Sequence, residues 1–532
     1  MGGLDSKRPA PVLTCEEIAG LDGNAALLDV REIGEYEVAH VPGATTLARA
    51  RLESDARQVV PDLEATVVVY DGADGRAELA RRTLVSMGYG RVFVLKGGIP
   101  EWIATGRPTR SGTNVPSKLF GEQLLEADRV QEISPGELEK ARRGDEGPLV
   151  LDIRTRAEHE RGCIPGAWHV PGGELISIAG DLRKLDRPII THCAGRTRGI
   201  VAAATLGVLG VQNVRALRNG TMGWMLADMD LEVPTEDRSM RASDASLAEA
   251  VDRASLLRDS RNVPSVDARW LMTETALRTR PLYIFDVRQR SEYETGHIAG
   301  SVHVAAAQLI QCADDHIALR NLDIVLVSGF GTRATVATWW LRRMGYPRAW
   351  TLAGGLDGWS LAGGSLERQT GHEPQPRGAT PLISAAALEW ALGAEGVVVL
   401  DLGTSARYER RHVPTAHWIS RGSLEMVIPQ RLPVRTTPIV LTGADSSNAE
   451  LAAATLREMD YEDVRVLDIS LREWSTEGHV VEQGLQGCWS EPCDIPYRAI
   501  LRGDRNAMRR YLDWETTLNE APPPRGLEGQ PQ

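Results

Sequence analysis

An aspartate that closes an apolar run is followed 72 or 73 residues later by a tryptophan, and this happens four times along the 532-residue chain. The aspartates are Asp29, Asp152, Asp286 and Asp401; the tryptophans are Trp102, Trp224, Trp359 and Trp474. Independent segments would not keep such a register, so the chain is a tandem array of one folding unit. Each copy reads alike. A first strand ends in ALLDVREIGEYEVAHVPGA, LVLDIRTRAEHERGCIPGA, YIFDVRQRSEYETGHIAGS or VVLDLGTSARYERRHVPTA. A second strand runs into a short loop, VVVYDGADGR, IITHCAGRTR, VLVSGFGTR or IVLTGADSS, and a third ends at the tryptophan.

Between the second and third strands lie ELARRTLVSMGY, GIVAAATLGVLG, ATVATWWLRRMGY and ELAAATLREMDY, with apolar residues at helical spacing. Gly88, Gly210 and Gly345 read as the stops of three of these helices. Strand and helix in alternation predict an α/β fold with a parallel sheet covered on both faces. The expected domains are residues 1–110, 120–235, 260–368 and 378–518. The stretches GRPTRSGTNVPSK and GGSLERQTGHEPQPRGATP read as connections, and SMRASDASLAEAVDRASLLRDSRNVP as one that holds an extra helix. RAILRGDRNAMRRYLDWETTL reads as a closing helical extension of the fourth repeat, with a solvated arginine face, and APPPRGLEGQPQ as a disordered tail.

The motifs D-[VI]-R, [GA]-H-[VI]-P-G-A, a cysteine-headed loop entering a helix, and G-G-x-x-x-W, in this order, resemble the rhodanese sulfurtransferases. The resemblance covers nearly the whole chain and implies four tandem rhodanese-like domains, each a parallel five-stranded sheet flanked by helices. It also implies the chemistry. A loop cysteine takes a sulfane sulfur as a persulfide and passes it to a thiophilic acceptor such as cyanide or a thiol.

Only one loop has the thiol. Cys193 heads Cys193-Ala194-Gly195-Arg196-Thr197-Arg198, whereas the other loops begin with Asp71, Ser328 and Thr442. The first, third and fourth domains are therefore expected to be inactive. Backbone N–H groups of residues 194–198 at a strand-to-helix turn would form an anion cradle. A cysteine there should ionise readily, and the thiolate is the nucleophile. Gly195 permits a close approach, Thr197 can donate a hydrogen bond, and Arg196 and Arg198 can hold an anionic donor. Asp71 would put a carboxylate where the cradle wants an external anion. Ser328 could bind an anion without sulfur chemistry, and the Thr442 loop has lost its arginine and gained an acid.

A cysteine followed by arginine also opens the phosphatase signature, which needs one more residue between the two; here that later position is Gly199. The shorter loop suits a single sulfur atom. Donor choice rests on less. Family members selective for mercaptopyruvate typically follow the cysteine with glycine and thiosulfate enzymes often with arginine; this chain has Ala194. The two arginines favour thiosulfate, with mercaptopyruvate as the alternative.

Asp152 and Arg154 read as structural support of the active loop, and His192 as a packed residue, because neighbours on a strand face opposite ways. Cys163 replaces the histidine found at His40, His297 and His412, and is a candidate second thiol that accepts or protects the sulfur. Cys488 and Cys493 are close in sequence, but two ligands alone make a poor zinc site. No metal or organic cofactor is implied.

The net charge of −12 argues against nucleic acid as partner, no apolar run is long enough for a bilayer, and six cysteines are too few for a disulfide scaffold. These features place the chain in the cytoplasm, without a secretory leader; Gly2 and Ser6 match only a loose myristoylation pattern. The expected partners are a small anionic sulfur donor and a thiol or cyanide acceptor, with a protein sulfur acceptor as a further candidate. The other readings are a persulfide carrier or docking protein without turnover, and a regulatory scaffold without sulfur chemistry.

Overall fold

The computed structural model describes residues 11–21, 24–144, 147–277, 280–368, 380–394, 396–443 and 446–520. Gly2, Ser6, the acid of the Thr442 loop (Asp445), residues 369–379 of the connection GGSLERQTGHEPQPRGATP and the 521–532 tail lie outside these residues. Four five-stranded sheets are present, and in each the strand order, counted along the chain, is first, fifth, fourth, second, third. All strand pairs within the sheets are parallel. Parallel neighbours need crossover connections, which is why helices separate the strands.

The second domain shows the pattern. Helix α1 (Val115–Ala127) precedes strand β1 (Glu132–Ile133). Strand β2 (Leu149–Asp152) leads to helix α2 (Arg156–Arg161) and strand β3 (Trp168–His169). Helix α3 (Leu175–Leu182), strand β4 (Ile189–His192) and helix α4 (Thr197–Val208) follow. Strand β5 (Val214–Leu217) and helix α5 (Gly220–Leu226) close the domain. Side-chain alternation sorts the core. Leu149, Leu151 and Ile189 pack on one face with α3 and α4, whereas Val150, Ile190 and Trp224 pack on the other.

The register of the tryptophans has a direct cause. Each indole Nε1 donates to the carbonyl six residues on: Trp102 to Pro108 at 2.8 Å, Trp224 to Asp230 at 2.9 Å, Trp359 to Ser365 at 3.0 Å and Trp474 to Val480 at 2.8 Å. A buried indole with its donor satisfied both fills the core and fixes the exit of the chain. Gly88, Gly210 and Gly345 all have positive φ just past a helix end, as the stop reading requires.

The chain divides into two compact units. One comprises Met1–Thr113 with Gly371–Tyr497 and holds the first and fourth domains; the other comprises Asn114–Thr370 with Arg498–Gln532 and holds the second and third. In the second unit, helix α6 (Asp244–Arg261) occupies the connection expected to hold one, and Ser246 Oγ donates to the Ser177 carbonyl at 2.7 Å to fix it to α3. Helix α7 (Thr332–Arg343) of the third domain meets α4, where Trp340 Nε1 donates to Thr205 Oγ1 at 2.9 Å.

Two connections differ from expectation. The stretch GRPTRSGTNVPSK is a loop only up to Asn114, since Val115 already opens α1, with Pro116 in its first turn. The closing helix α8 (Arg505–Thr517) does not extend the fourth domain, which ends by Tyr497. It packs on the second: Met508 and Leu512, one turn apart, join Met222 and the half-buried Ala194 and Met225. Its arginine face is not wholly solvated, because Arg505 donates to the carbonyls of Met225 at 2.8 Å and Leu226 at 3.1 Å.

Candidate active site

Cys193 follows β4 directly, and the loop it heads turns into α4 at Thr197. The loop is held from below. Thr221 N–H donates to the Cys193 carbonyl and Met222 N–H to the Ala194 carbonyl, both at 2.9 Å. This contact requires Gly220, with φ of 51°, since a Cβ there would collide with the Cys193 carbonyl oxygen. Gly98 and Gly355 are similarly placed against the Asp71 and Ser328 carbonyls. The fourth domain has Ser470 at this position, so the support under its loop is not built the same way.

The four loop heads show what the cradle binds. In the first domain, Asp71 folds its own carboxylate into the loop: Ala73 N–H donates to Oδ1, and Gly75 and Ala77 N–H donate to Oδ2, each at 2.9 Å. The seat is an anion seat, and here the chain's own anion fills it. In the third domain Ser328 Oγ accepts from Ala334 N–H at 3.2 Å. In the fourth, Thr442 Oγ1 donates to Asp401 at 3.5 Å. In the second, the positions that match Ala73, Gly75 and Ala77 are Gly195, Thr197 and Gly199. The Gly195 and Gly199 backbones favour the ionised form of Cys193.

Arg196 and Arg198 are not free to hold a donor, as the sequence suggested they would be. Arg198 makes two hydrogen bonds to Glu158, at 2.9 and 2.8 Å. Arg196 makes two to Glu122 of α1, at 2.6 and 2.8 Å, and one to Asn219 at 3.1 Å. The first pair recurs without the cysteine: Arg76 binds Glu35, and Arg333 binds Glu292, each with two bonds of 2.6 Å. Glu35, Glu158 and Glu292 each also complete a capping box at the start of their helix. One carboxylate thus ties a helix start to the loop, and this clamp is architecture shared by three domains.

Asp152 and Arg154 are buried and joined at 2.8 and 2.6 Å, with Arg154 also donating to the Gly162 carbonyl. Asp29–Arg31 and Asp286–Arg288 repeat the pair. In the fourth domain Gly403 replaces the arginine, and Arg407, where the others have the clamp glutamate, reaches Asp401 instead. Burial would raise the Asp152 carboxyl; His192, Arg154 and His159 outweigh it and hold it well below the usual carboxylate range. His192 is fully buried, and burial lowers it to about 4.

The thiol departs from expectation. Cys193 is only 2% exposed, and burial raises it above the ordinary 9.0. The Arg198 charge and the Gly199 and Gly195 N–H groups oppose that rise, while Glu515 adds to it. Glu515 lies on α8, and nothing local in the sequence links it to a loop 318 residues earlier. The Met508–Leu512 spacing signals a docking helix but not its dock.

The other thiols are free. Cys163 is buried, its burial pushes it up to about 11, and it exchanges two backbone hydrogen bonds of 2.8 Å with Glu232. His40, His297 and His412 form the same bridges to Arg110, Glu367 and Glu482, so Cys163 takes a histidine's place in the frame. Cys488 and Cys493 form no disulfide. Among the described residues, no group of three or more His, Cys, Asp or Glu is placed to hold a metal, and no helix is long and apolar enough to cross a membrane.

The rhodanese-like domain family model matches four times, at residues 16–105, 134–227, 269–362 and 384–477. The chain belongs to the rhodanese-like sulfurtransferase family. Among solved structures, this rhodanese-like chain is similar to a thiosulfate sulfurtransferase from Pseudomonas aeruginosa, with 33% identity, a TM-score of 0.85, and coverage of 96% of this chain and 97% of that one. Thiosulfate/3-mercaptopyruvate sulfurtransferase 2 of Arabidopsis thaliana is 26% identical over an alignment of 258 residues that covers 37% of this chain and 75% of that protein. A sulfurtransferase of Allochromatium vinosum is 32% identical over 105 residues, 20% of this chain and 97% of that protein. Coverage is partial elsewhere: the 33% identity to the Bacillus subtilis protein YrkF spans 43% of that relative and 15% of this chain.

Proposed function

We propose that the chain moves sulfane sulfur from an anionic donor to a thiophilic acceptor through a persulfide on Cys193, with thiosulfate as the favoured donor. The observation that carries this is the comparison of Asp71 with Cys193. The loop that binds a carboxylate through three N–H groups in the first domain has a sulfur at its head in the second. A persulfide anion formed on Cys193 would meet the same donors.

In the first step the Cys193 thiolate attacks the outer sulfur of thiosulfate. The new S–S bond forms as the old one breaks, and sulfite leaves with the electron pair. In the second step cyanide or a thiolate attacks the terminal sulfur, and the Cys193 thiolate is the leaving group. Gly195, Thr197 and Gly199 supply the cradle, Ala194 lines it, and Arg196 and Arg198 set its shape and positive potential while bound to their glutamates. Asp152 and Arg154 support the strand end beneath it. The likeness to the Pseudomonas aeruginosa thiosulfate sulfurtransferase over nearly the full chain supports thiosulfate over mercaptopyruvate.

A second reading, a persulfide carrier loaded by a protein partner, is favoured by the burial of Cys193. Steady-state thiocyanate formation from thiosulfate and cyanide separates the two. Turnover that is lost in Cys193→Ser supports the enzyme. A single stoichiometric discharge, without turnover, supports the carrier.

A further inference from the structure

Helix α8 lays a carboxylate on the active loop. Glu515 is 1% exposed, and its Oε1 accepts from Thr197 Oγ1 at 2.6 Å and from Thr197 N–H at 3.4 Å. Thr197 N–H is the donor that matches Gly75 N–H, which binds the Asp71 carboxylate in the first domain. The middle position of the cradle is therefore occupied in both domains, by a residue of the loop in one and by a remote helix in the other. Gly195 lies under the same helix: a Cβ there would meet Glu515 Oε2 at 3.2 Å and Tyr511 Cε1 at 3.4 Å.

The cover is held by a modest set of contacts. Met508 and Leu512 are its apolar anchors, Arg505 pairs with Asp228 at 2.9 Å, and Lys118 Nζ stands 5.4 Å from the Tyr511 ring and 5.0 Å from that of Trp514. Its carboxylate is poorly served. Glu515 Oε2 is buried and makes no hydrogen bond of ordinary geometry, with Tyr511 beside it as a weakly engaged neighbour. An unsatisfied buried carboxylate oxygen disfavours the closed arrangement, so a better-fitting anion can replace it.

We propose that α8 is a carboxylate-bearing lid over Cys193, in which Glu515 stands in for the donor's anionic group and an anionic sulfur donor gains the thiol by displacing it. This rests on the sulfurtransferase reading for the identity of the donor, but the lid itself does not depend on it. The closed lid lies on the loop side of a thiol that the core of its own domain already covers from beneath. It also assigns the C-terminal extension a task at the one domain that has the cysteine.

The test is the rate at which iodoacetamide alkylates Cys193 in the full-length protein, followed by peptide mass, for the wild type, Glu515→Gln and Leu512→Ala. Glu515→Gln keeps the shape and removes the charge; Leu512→Ala loosens the anchor while keeping the glutamate. Both variants are expected to react about tenfold faster at Cys193, with Cys163 unchanged as an internal check of folding. Rates at Cys193 within about twofold of wild type in both variants would overturn the lid. Persulfide loading by thiosulfate, measured in the same proteins, reports separately on the donor. Faster alkylation without loading would keep the lid and reject the donor reading; a thiosulfate half-saturation lowered in Glu515→Gln would support both.

Discussion

Glu158 grips Arg198 with both carboxylate oxygens, at 2.9 and 2.8 Å, while the same carboxylate caps the start of its own helix. The pair ties the active loop after β4 to the helix that follows the neighbouring strand β2. Both side chains are largely buried, so removing one leaves the other with an unmatched charge. Glu158→Ala is expected to destabilise the protein by about 1–3 kcal/mol, with Arg198→Ala similar and the double variant less than additive. A denaturant-based double-mutant cycle measures this, and a coupling near zero would show that the clamp is ornamental.

The Asp71 cradle offers a test of the anion seat away from the cysteine. Asp71→Ala leaves three loop N–H groups without their acceptor, at a cost of about 1–3 kcal/mol. Hydrogen exchange of residues 72–78 should accelerate, and added sulfate should slow it again as the anion takes the empty seat. Exchange that ignores sulfate would mean that the loop does not bind external anions.

Gly220 is the narrowest tolerance at the site. Gly220→Ala puts a methyl group against the Cys193 carbonyl at a positive φ, so the loop must shift. Persulfide loading should fall by about tenfold or more even where the protein remains folded, because N–H groups displaced from the sulfur lose their hold on an anion. Loading at the wild-type rate would show that the loop accommodates the methyl without moving its donors.

Two shifts make the second domain acid-sensitive. Burial would raise Glu158, but Arg198 and Thr155 overcome it and hold the carboxyl at about 2 instead of 4.5. Burial depresses His192 from 6.5 to about 4. Both groups bind fewer protons folded than unfolded, so their contribution to stability is complete above pH 6.5 and declines as pH falls toward 4 and below. The Tm is expected to drop between pH 7 and 4, and Glu158→Gln should flatten the part below pH 4.5. A Tm that is level across this range would contradict the assignment.

The thiol follows the opposite sign. Cys193 is raised above 9.0 by burial, with Glu515 adding to it. Alkylation of the wild type should therefore climb with pH and reach its midpoint above 9, and Glu515→Gln should move that midpoint down. A wild-type midpoint below 8 would mean that the loop donors outweigh the burial.

Much of this was legible in the residues. The Asp-to-Trp register, the D-x-R pairs and the glycine stops are local devices, repeated four, three and three times, and each appears with the geometry its residue types require. The loop around Cys193 was legible because its neighbours in the chain build it. The arginines were misread because their partners come from elsewhere: Glu158 from a helix forty residues earlier and Glu122 from helix α1, 74 residues earlier. The thiol's ionisation was misread for the same reason. Cys193 is packed in the core of its own domain, while the Glu515 charge that adds to the shift comes from α8, and the amphipathic pattern of Met508 and Leu512 says that this helix docks without saying where. Contacts within one repeat could be read from the sequence, whereas contacts supplied by the segments between and after the repeats could not.

Intact mass tests whether Cys193 carries sulfur. Reduced protein incubated with thiosulfate, freed of excess and measured by intact mass should gain one sulfur, about 32 Da, which cyanide removes and Cys193→Ser never acquires. No gain with either thiosulfate or mercaptopyruvate, on the wild type or on Glu515→Gln, which removes the carboxylate from the cradle, would contradict it.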